Sequence, residues 1–272
     1  MDPSNKDARA KLQAAIKEKM ARAFAEAIAV DHVTALQELG DIDAIIVEDS
    51  YDGPKLVDAN TISLEFVVEM LAWMKVQKKL HRKYALQIMV AVRAIFYASP
   101  TIVDIPIPET SKITVNGDIH GQFYDLLHVF DLNGLPSPTN MYLWNGDFVD
   151  RGSFSVECIL TLFAFKWLYP DAVHLTRGNH ETDGMNRTYG FEGEVKHKYS
   201  EVMFRFFSDI FNGIPLGNLI GEKILVVHGG LFSRDDVTMD EIRKIDRFRQ
   251  PSPTGNVLMT EVILKLKTDS LE

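Results

Sequence analysis

Four short apolar runs in this 272-residue chain each end in a small polar cluster rich in metal-ligating side chains. Ile113-Thr114-Val115 leads into Gly117-Asp118-Ile119-His120-Gly121, and Met141-Tyr142-Leu143-Trp144 leads into Gly146-Asp147-Phe148-Val149-Asp150-Arg151-Gly152. Val173-His174-Leu175 leads into Arg177-Gly178-Asn179-His180-Glu181, and Ile224-Leu225-Val226-Val227 leads into His228-Gly229-Gly230. Runs of this length and β-branched content read as buried strands. Glycines beside polar residues suit tight turns that bring backbone close to an ion or phosphate. Asp118 and His120, two apart on extended chain, face the same way and can reach one ion. Asp147 is a natural bridging carboxylate, Asn179 offers a neutral oxygen and His228 an imidazole nitrogen. That mixture suits two ions of the Mn, Fe or Zn type better than calcium. Two ions roughly 3.5–4 Å apart clamp the attacking and leaving oxygens of an in-line displacement. Coordination can lower the pKa of water from 15.7 to about 7, so the expected nucleophile is a metal-bound hydroxide.

The remaining cluster residues have separate tasks. His180 adjoins Asn179, so if Asn179 points at metal, His180 points elsewhere and is free to protonate a leaving alkoxide, a step typically worth 10²–10⁴-fold. Asp150 can hold that imidazole, and Arg151 supplies a planar fork for phosphate oxygens. Charged and amide groups gathered at the ends of apolar strands are costly to bury without such a purpose.

These clusters resemble the signature motifs of the phosphoprotein phosphatases, metallophosphoesterases that hydrolyse phosphoserine and phosphothreonine. The resemblance rests on Gly117-Asp118-x-His120-Gly121, Gly146-Asp147-x-Val149-Asp150-Arg151-Gly152, Gly178-Asn179-His180-Glu181 and His228-Gly229-Gly230-Leu231. It implies Asp118, His120, Asp147, Asn179 and His228 as metal ligands, His180 with Asp150 as proton donor, and Arg151 as a phosphate contact. Outside the site, Gly53-Pro54-Lys55-Leu56, Gln77 to Lys83, Gly152 to Glu157 and Tyr189 to Lys196 are similar to the branch of the family that carries an N-terminal tetratricopeptide (TPR) array. In that branch the array binds chaperone tails and restrains the active site. Here Ala8 to Ile28 looks like only the end of it, so chaperone binding is not implied. After Pro251 the chain matches nothing in the family. The family's segment there normally provides another histidine ligand, a second arginine, a tyrosine and several strands. No histidine occurs after His228, and the others outside the clusters, His32, His81, His128, His174 and His197, are expected to be structural or exposed. The implied fold is α/β, a metallophosphoesterase β-sandwich flanked by helices, C-terminally truncated and with an N-terminal helical extension. The implied function is a metal-dependent protein serine/threonine phosphatase acting on phosphoprotein substrates. The alternative is a phosphatase-like fragment that binds metal or protein with impaired turnover. A nucleotide or phosphodiester substrate fits the Ser153 to Glu157 and Tyr189 to Lys196 stretches less well.

The elements that must position these residues follow from periodicity. Leu12, Ile16, Met20, Phe24 and Ile28 mark an amphipathic helix near the N-terminus. Tyr51-Asp52-Gly53-Pro54 ends an acidic linker. A second helix begins at Ser63 with Phe66, Met70, Trp73 and Met74 on one side, and a third spans Ala85 to Tyr97. Between them the basic run Lys75 to Lys83 reads as a solvated face or a dock for an acidic segment. Amphipathic stretches at Gln122–Phe130, Val156–Leu168 and Glu194–Phe211 alternate with the strands, as in a βαβ fold whose sites lie at the carboxyl ends of strands. The expected organisation is a helical segment over 1–50, an N-terminal helical part of the phosphatase region over 51–112, an incomplete catalytic core over 113–251 and an unmatched tail over 252–272.

Composition narrows the partners. A net charge of −9 argues against a general nucleic-acid binder. No apolar run approaches the ~20 residues that cross a bilayer, and the N-terminus shows no secretory signal. The single cysteine, Cys158, lies in an apolar helical stretch and reads as a core residue in a reducing compartment, cytoplasmic or nuclear.

Overall fold

In a computed structural model the apolar runs that precede the ligand clusters are strands, arranged in two sheets. The structure describes residues 35–230, 232–251 and 257–263. The expected helix over Ala8 to Ile28 lies outside these. The chain divides into two units, Met1–Gly40 and Asp41–Glu272. Of the first, residues 35–38 are helical.

The second unit opens with helices α1 (Leu64–Lys75) and α2 (Arg82–Ala98) and strands β1 (Ile102–Ile105) and β2 (Lys112–Asn116). Then come α3 (Phe123–Asn133), β3 (Asn140–Trp144), α4 (Ser155–Leu168), β4 (Val173–Leu175), α5 (Asp183–Tyr189), α6 (Phe191–Lys198) and α7 (Glu201–Gly213). Strands β5 (Gly217–Ile220) and β6 (Ile224–Val227) and helices α8 (Met239–Arg243) and α9 (Val257–Ile263) complete the order. β2, β3 and β4 form one parallel sheet, Ile113 opposite Met141 and Leu143 opposite His174. β5 pairs in parallel with β1 and antiparallel with β6 to form the other. The sheets face each other: Ile105, Val103, Ile220 and Val226 of the mixed sheet pack with Ile113, Met141 and Leu143 of the parallel one. Along β3 the alternate residues turn the other way, and Tyr142 and Trp144 meet Phe130 of α3, which in turn meets Phe165 of α4. β3 is therefore covered on both faces, which explains its uninterrupted apolar sequence. This is the expected α/β sandwich flanked by helices.

Helix α4 is buried from Ser155 to Lys166. Its Phe163 lies against Phe96 of α2 and Phe207 of α7, making it the axis of the helical layer. Expectation and structure diverge at two points and agree at a third. β1 and β5 were not legible as strands. The stretch Glu194–Phe211 is two helices, because Ser200 caps a new one by accepting from Met203 N–H and Tyr199 leaves helical geometry to donate its hydroxyl to Leu80 O. The basic run docks the acidic segment before it: Lys78 pairs with Asp52, His81 with Glu48, and Lys83 donates to Asp43 O. Beyond Pro251, Met259, Val262 and Ile263 of α9 join Ile102, Leu216, Ile242 and Ile245 in a second apolar cluster. Among the described residues β6 pairs on one side only, and Ile224 and Leu225 are exposed there.

His174 of β4 is buried beside Lys166. Burial first, then the Lys166 charge, pushes its pKa down from 6.5 to about 4. The unfolded imidazole takes up a proton below 6.5 whereas the folded one resists until about 4, so acidification through this window removes stability. His174→Gln is expected to flatten the fall of the urea midpoint between these pH values, and an unchanged slope would show that the ring is not desolvated.

Candidate metal centre

The four ligand clusters sit where the strand ends leave them, at the carboxyl ends of β2, β3, β4 and β6. The turns there are tight. His120, Asp147, Asp150 and Arg151 all have positive φ, between 45° and 70°, a region that non-glycine residues enter sparingly and usually at functional sites. Backbone bonds lace the two β2 and β3 loops: Ile119 and His120 N–H donate to Asp147 O, Gly121 N–H to Phe148 O, and Gly152 N–H to His120 O. Glycine is required at two points. A Cβ on Gly178 would lie 2.3 Å from Asp147 Oδ1, and one on Gly146 would lie 2.5 Å from His228 Nδ1.

Asp147 is the centre of the arrangement and is buried. Its Oδ2 lies 3.6 Å from His120 Nε2, and its Oδ1 lies 3.3 Å from His228 Nε2. His120 Nε2 is 3.8 Å from Asp118 Oδ2, and His228 Nε2 is 3.1 Å from Asn179 Oδ1. All five sequence-predicted ligands thus converge. Two sets of donor atoms lie within 4.8 Å of one another, His120–Asp147–His180 and Asp118–Asp147–His228, and Asp147 belongs to both. Both ligand imidazoles are turned by their other nitrogen: His120 Nδ1–H donates to Val149 O at 2.9 Å, and His228 Nδ1–H to Asn145 O at 2.6 Å. Each neutral ring therefore aims an Nε2 lone pair at carboxylate and amide oxygens. Acceptors facing acceptors need a cation or a proton between them, and imidazole with carboxylate is the donor set of a borderline metal. The residues fit two ions sharing Asp147.

With protons alone, burial works against an imidazolium at His228, but the hydrogen bond and charge of Asp147 outweigh it and hold the group up at about 9. Burial would likewise raise Asp147, and the same partner holds it below its usual value.

Beside this centre His180 and Asp150 are both buried, with His180 Nδ1 2.8 Å from Asp150 Oδ2. Arg151 Nη2 stands 3.2 Å from His180 Nε2. A guanidinium can only donate, so Nε2 accepts, and Nδ1 carries the hydrogen toward Asp150. Arg151 itself is exposed, with the Tyr189 ring beside both it and His180.

Two residues the sequence reading did not single out hold the loops together. Glu181, fully buried, accepts from Asp147 N–H, Phe148 N–H and Gly178 N–H at 2.8, 2.8 and 2.9 Å. Burial and the neighbouring Asp147 charge raise its pKa despite those donors. Asn186 donates to Asp150 Oδ2 and His180 O. An acid immediately following two ligating or proton-carrying residues was the available signal for Glu181. Asn186 had none.

Fold and site together are those of a metallophosphoesterase, and comparison with known families agrees. The model of the calcineurin-like phosphoesterases matches residues 111–270, running past the Pro251 at which the family resemblance is expected to stop, and a model described as the PPP5 TPR repeat region matches residues 11–104. The chain belongs to the calcineurin-like phosphoesterase family. It is 56% identical to human serine/threonine-protein phosphatase 5 over 93% of its own length and 51% of that protein's. It is 52% identical to serine/threonine-protein phosphatase T of Aspergillus oryzae, over 96% of this chain and 54% of that one. The chain thus spans about half the length of these curated relatives. Among solved structures, a Saccharomyces cerevisiae protein serine/threonine phosphatase superposes with a TM-score of 0.72 at 41% identity, covering 75% of this chain and 65% of that one.

Because a metal must displace the proton shared by His228 and Asp147, binding should be linked to proton release below about pH 9. Titrating Mn²⁺ into chelator-treated protein at about pH 7, in buffers of differing ionisation enthalpy, is expected to release a proton from His228 in addition to any lost by metal-bound water, so His228→Asn should release about one proton fewer per chain than the parent. Equal release from both proteins would contradict the shared proton.

Proposed function

We propose that this chain carries the catalytic core of a metal-dependent phosphatase that hydrolyses phosphoserine and phosphothreonine in proteins. The observation that carries the reading is the convergence of Asp118, His120, Asn179 and His228 around the shared Asp147, with the buried His180–Asp150 couple and the exposed Arg151 at its edge. The names of the relatives support the substrate class.

Asp118, His120, Asp147, Asn179 and His228 would hold the metals, which we assign to the Mn or Fe/Zn type from the imidazole and carboxylate donors. Bound there, two ions would polarise the phosphoryl oxygens and acidify a water. The protein's own groups do the rest. Arg151, released from His180, turns its fork to the phosphate oxygens. His180 Nε2 then carries the proton for the leaving serine or threonine oxygen, while Asp150 fixes the ring and favours its charged form. Phosphoprotein substrates are the proposed partners, and the single buried thiol of Cys158 suits a cytoplasmic or nuclear setting. A second reading, a metal- or protein-binding fragment of impaired turnover, draws on Asp118, whose side chain is 54% exposed and so constrains its ion less than Asp147 does.

Purified protein with Mn²⁺ is expected to dephosphorylate a phosphoserine peptide in preference to bis-nitrophenyl phosphate. Asp147→Asn should lower that turnover by at least about 100-fold, since the lost group serves both ions. Metal binding without hydrolysis of any peptide would select the second reading.

A further inference from the structure

Asn186 hydrogen-bonds to none of the five predicted metal ligands, yet it touches both members of the proton-donor couple. It lies in α5 with no exposed surface. Its amide nitrogen donates twice, to Asp150 Oδ2 at 2.9 Å and to His180 O at 2.6 Å. Its oxygen is buried and has no hydrogen-bond partner among the described residues. An amide whose two hydrogens are both engaged cannot flip to rescue that oxygen without losing both bonds. A buried orphan acceptor is a cost to the fold, so this position keeps a polar group that stability alone does not favour.

The geometry says what the group does. Asp150 Oδ1 is held by Phe191 N–H at 2.9 Å, and Oδ2 is shared between His180 Nδ1 and Asn186 Nδ2. The Asp150 N–H is in turn fixed by Ser155 Oγ. Without Asn186, Oδ2 loses the second donor that sets the plane of the carboxylate, and the His180 carbonyl loses the bond that sets the ring's origin. We propose that Asn186 is a positioning residue for His180: by holding Asp150 Oδ2 and His180 O at once, it fixes the ring in the orientation from which Nε2 delivers a proton to the leaving oxygen. This rests on the phosphatase reading above.

The test compares two leaving groups. A serine alkoxide needs a proton, whereas nitrophenolate departs without one, so loss of a positioned acid should separate the two substrates. In the full chain, Asn186→Leu is expected to lower kcat on a phosphoserine peptide by roughly 10- to 100-fold, the worth of a hydrogen bond to a charged group. KM, bound Mn²⁺ and kcat on p-nitrophenyl phosphate should change little. Asn186→Asp, the same size but presenting an acceptor to Asp150, should behave alike and replaces the leucine variant if that one fails to fold. Equal losses on both substrates, or none, would overturn the assignment. An independent readout is the Nδ1 proton of His180 in the ¹⁵N-labelled, metal-free chain, expected as a slowly exchanging, downfield resonance that both variants lose. Should the parent chain turn over neither substrate, the phosphatase reading alone fails. The resonance still decides the role of Asn186: its loss sustains the positioning contact, and its persistence in both variants refutes it.

Discussion

A buried carboxylate with both oxygens committed is the interaction on which the rest of this molecule depends. Asp147 Oδ1 accepts from His180 N–H at 2.9 Å and faces His228, while Oδ2 faces His120. Removing a charge from water is expensive unless it is paired and hydrogen-bonded, so the surroundings of Asp147 must be over-determined. Glu181 meets that need from below, gripping Asp147 N–H, Phe148 N–H and Gly178 N–H with one side chain. The loop after β3 and the loop after β4 are thereby joined at their roots. Two neighbouring acids in one buried site repel: burial and the Asp147 charge raise Glu181, while the hydrogen bond and charge of His228 hold Asp147 below its usual value.

The scaffold holds this unfavourable assembly through apolar packing and buried arginines. The faces of β3 are covered by the opposite sheet and by α3, which α4 backs in turn. Behind the β4 loop, Arg177 is fully buried and acts as a staple for carbonyls, donating to Glu181 O, Arg247 O and Arg249 O and to Asn212 Oδ1. Arg247 repeats the device, donating to Phe96 O, Ser99 O and Gly213 O. Gln250 then accepts from Asp183 N–H at the start of α5, the helix that bears Asn186. Segments far apart in sequence are thus fixed to the proton-donor couple without carrying any of its chemistry.

Much of the site was legible because strand, glycine and ligand occur together in the sequence. Asp118, His120, Asp147, Asn179 and His228 were recognisable from residue type and spacing, and they converge as strand-end geometry dictates. Asp150 and His180 were legible as a couple because each adjoins a ligand cluster. Asn186 was not, since a single asparagine in a seven-residue helix carries no periodic or motif signal; its role exists only once α5 has folded back over His180. β1 and β5 were hidden because Asp104 interrupts the first, Gly217 and Asn218 open the second, and neither leads into a ligand cluster. The split at Tyr199–Ser200 was concealed by apolar residues that continue across it. The docking of Asp43, Glu48 and Asp52 on the basic run was readable as charge complementarity, though not which residues would pair.

The claim that two ions share Asp147 is tested most directly by soaking crystals of the protein in Mn²⁺ and measuring anomalous scattering at the manganese edge. Two peaks roughly 3.5–4 Å apart, one on either side of the Asp147 carboxylate, are the expected result, with Asp118 and His120 reaching one side and Asn179 and His228 the other. Manganese bound elsewhere, or no peak within coordination distance of Asp147, would contradict the account at its root.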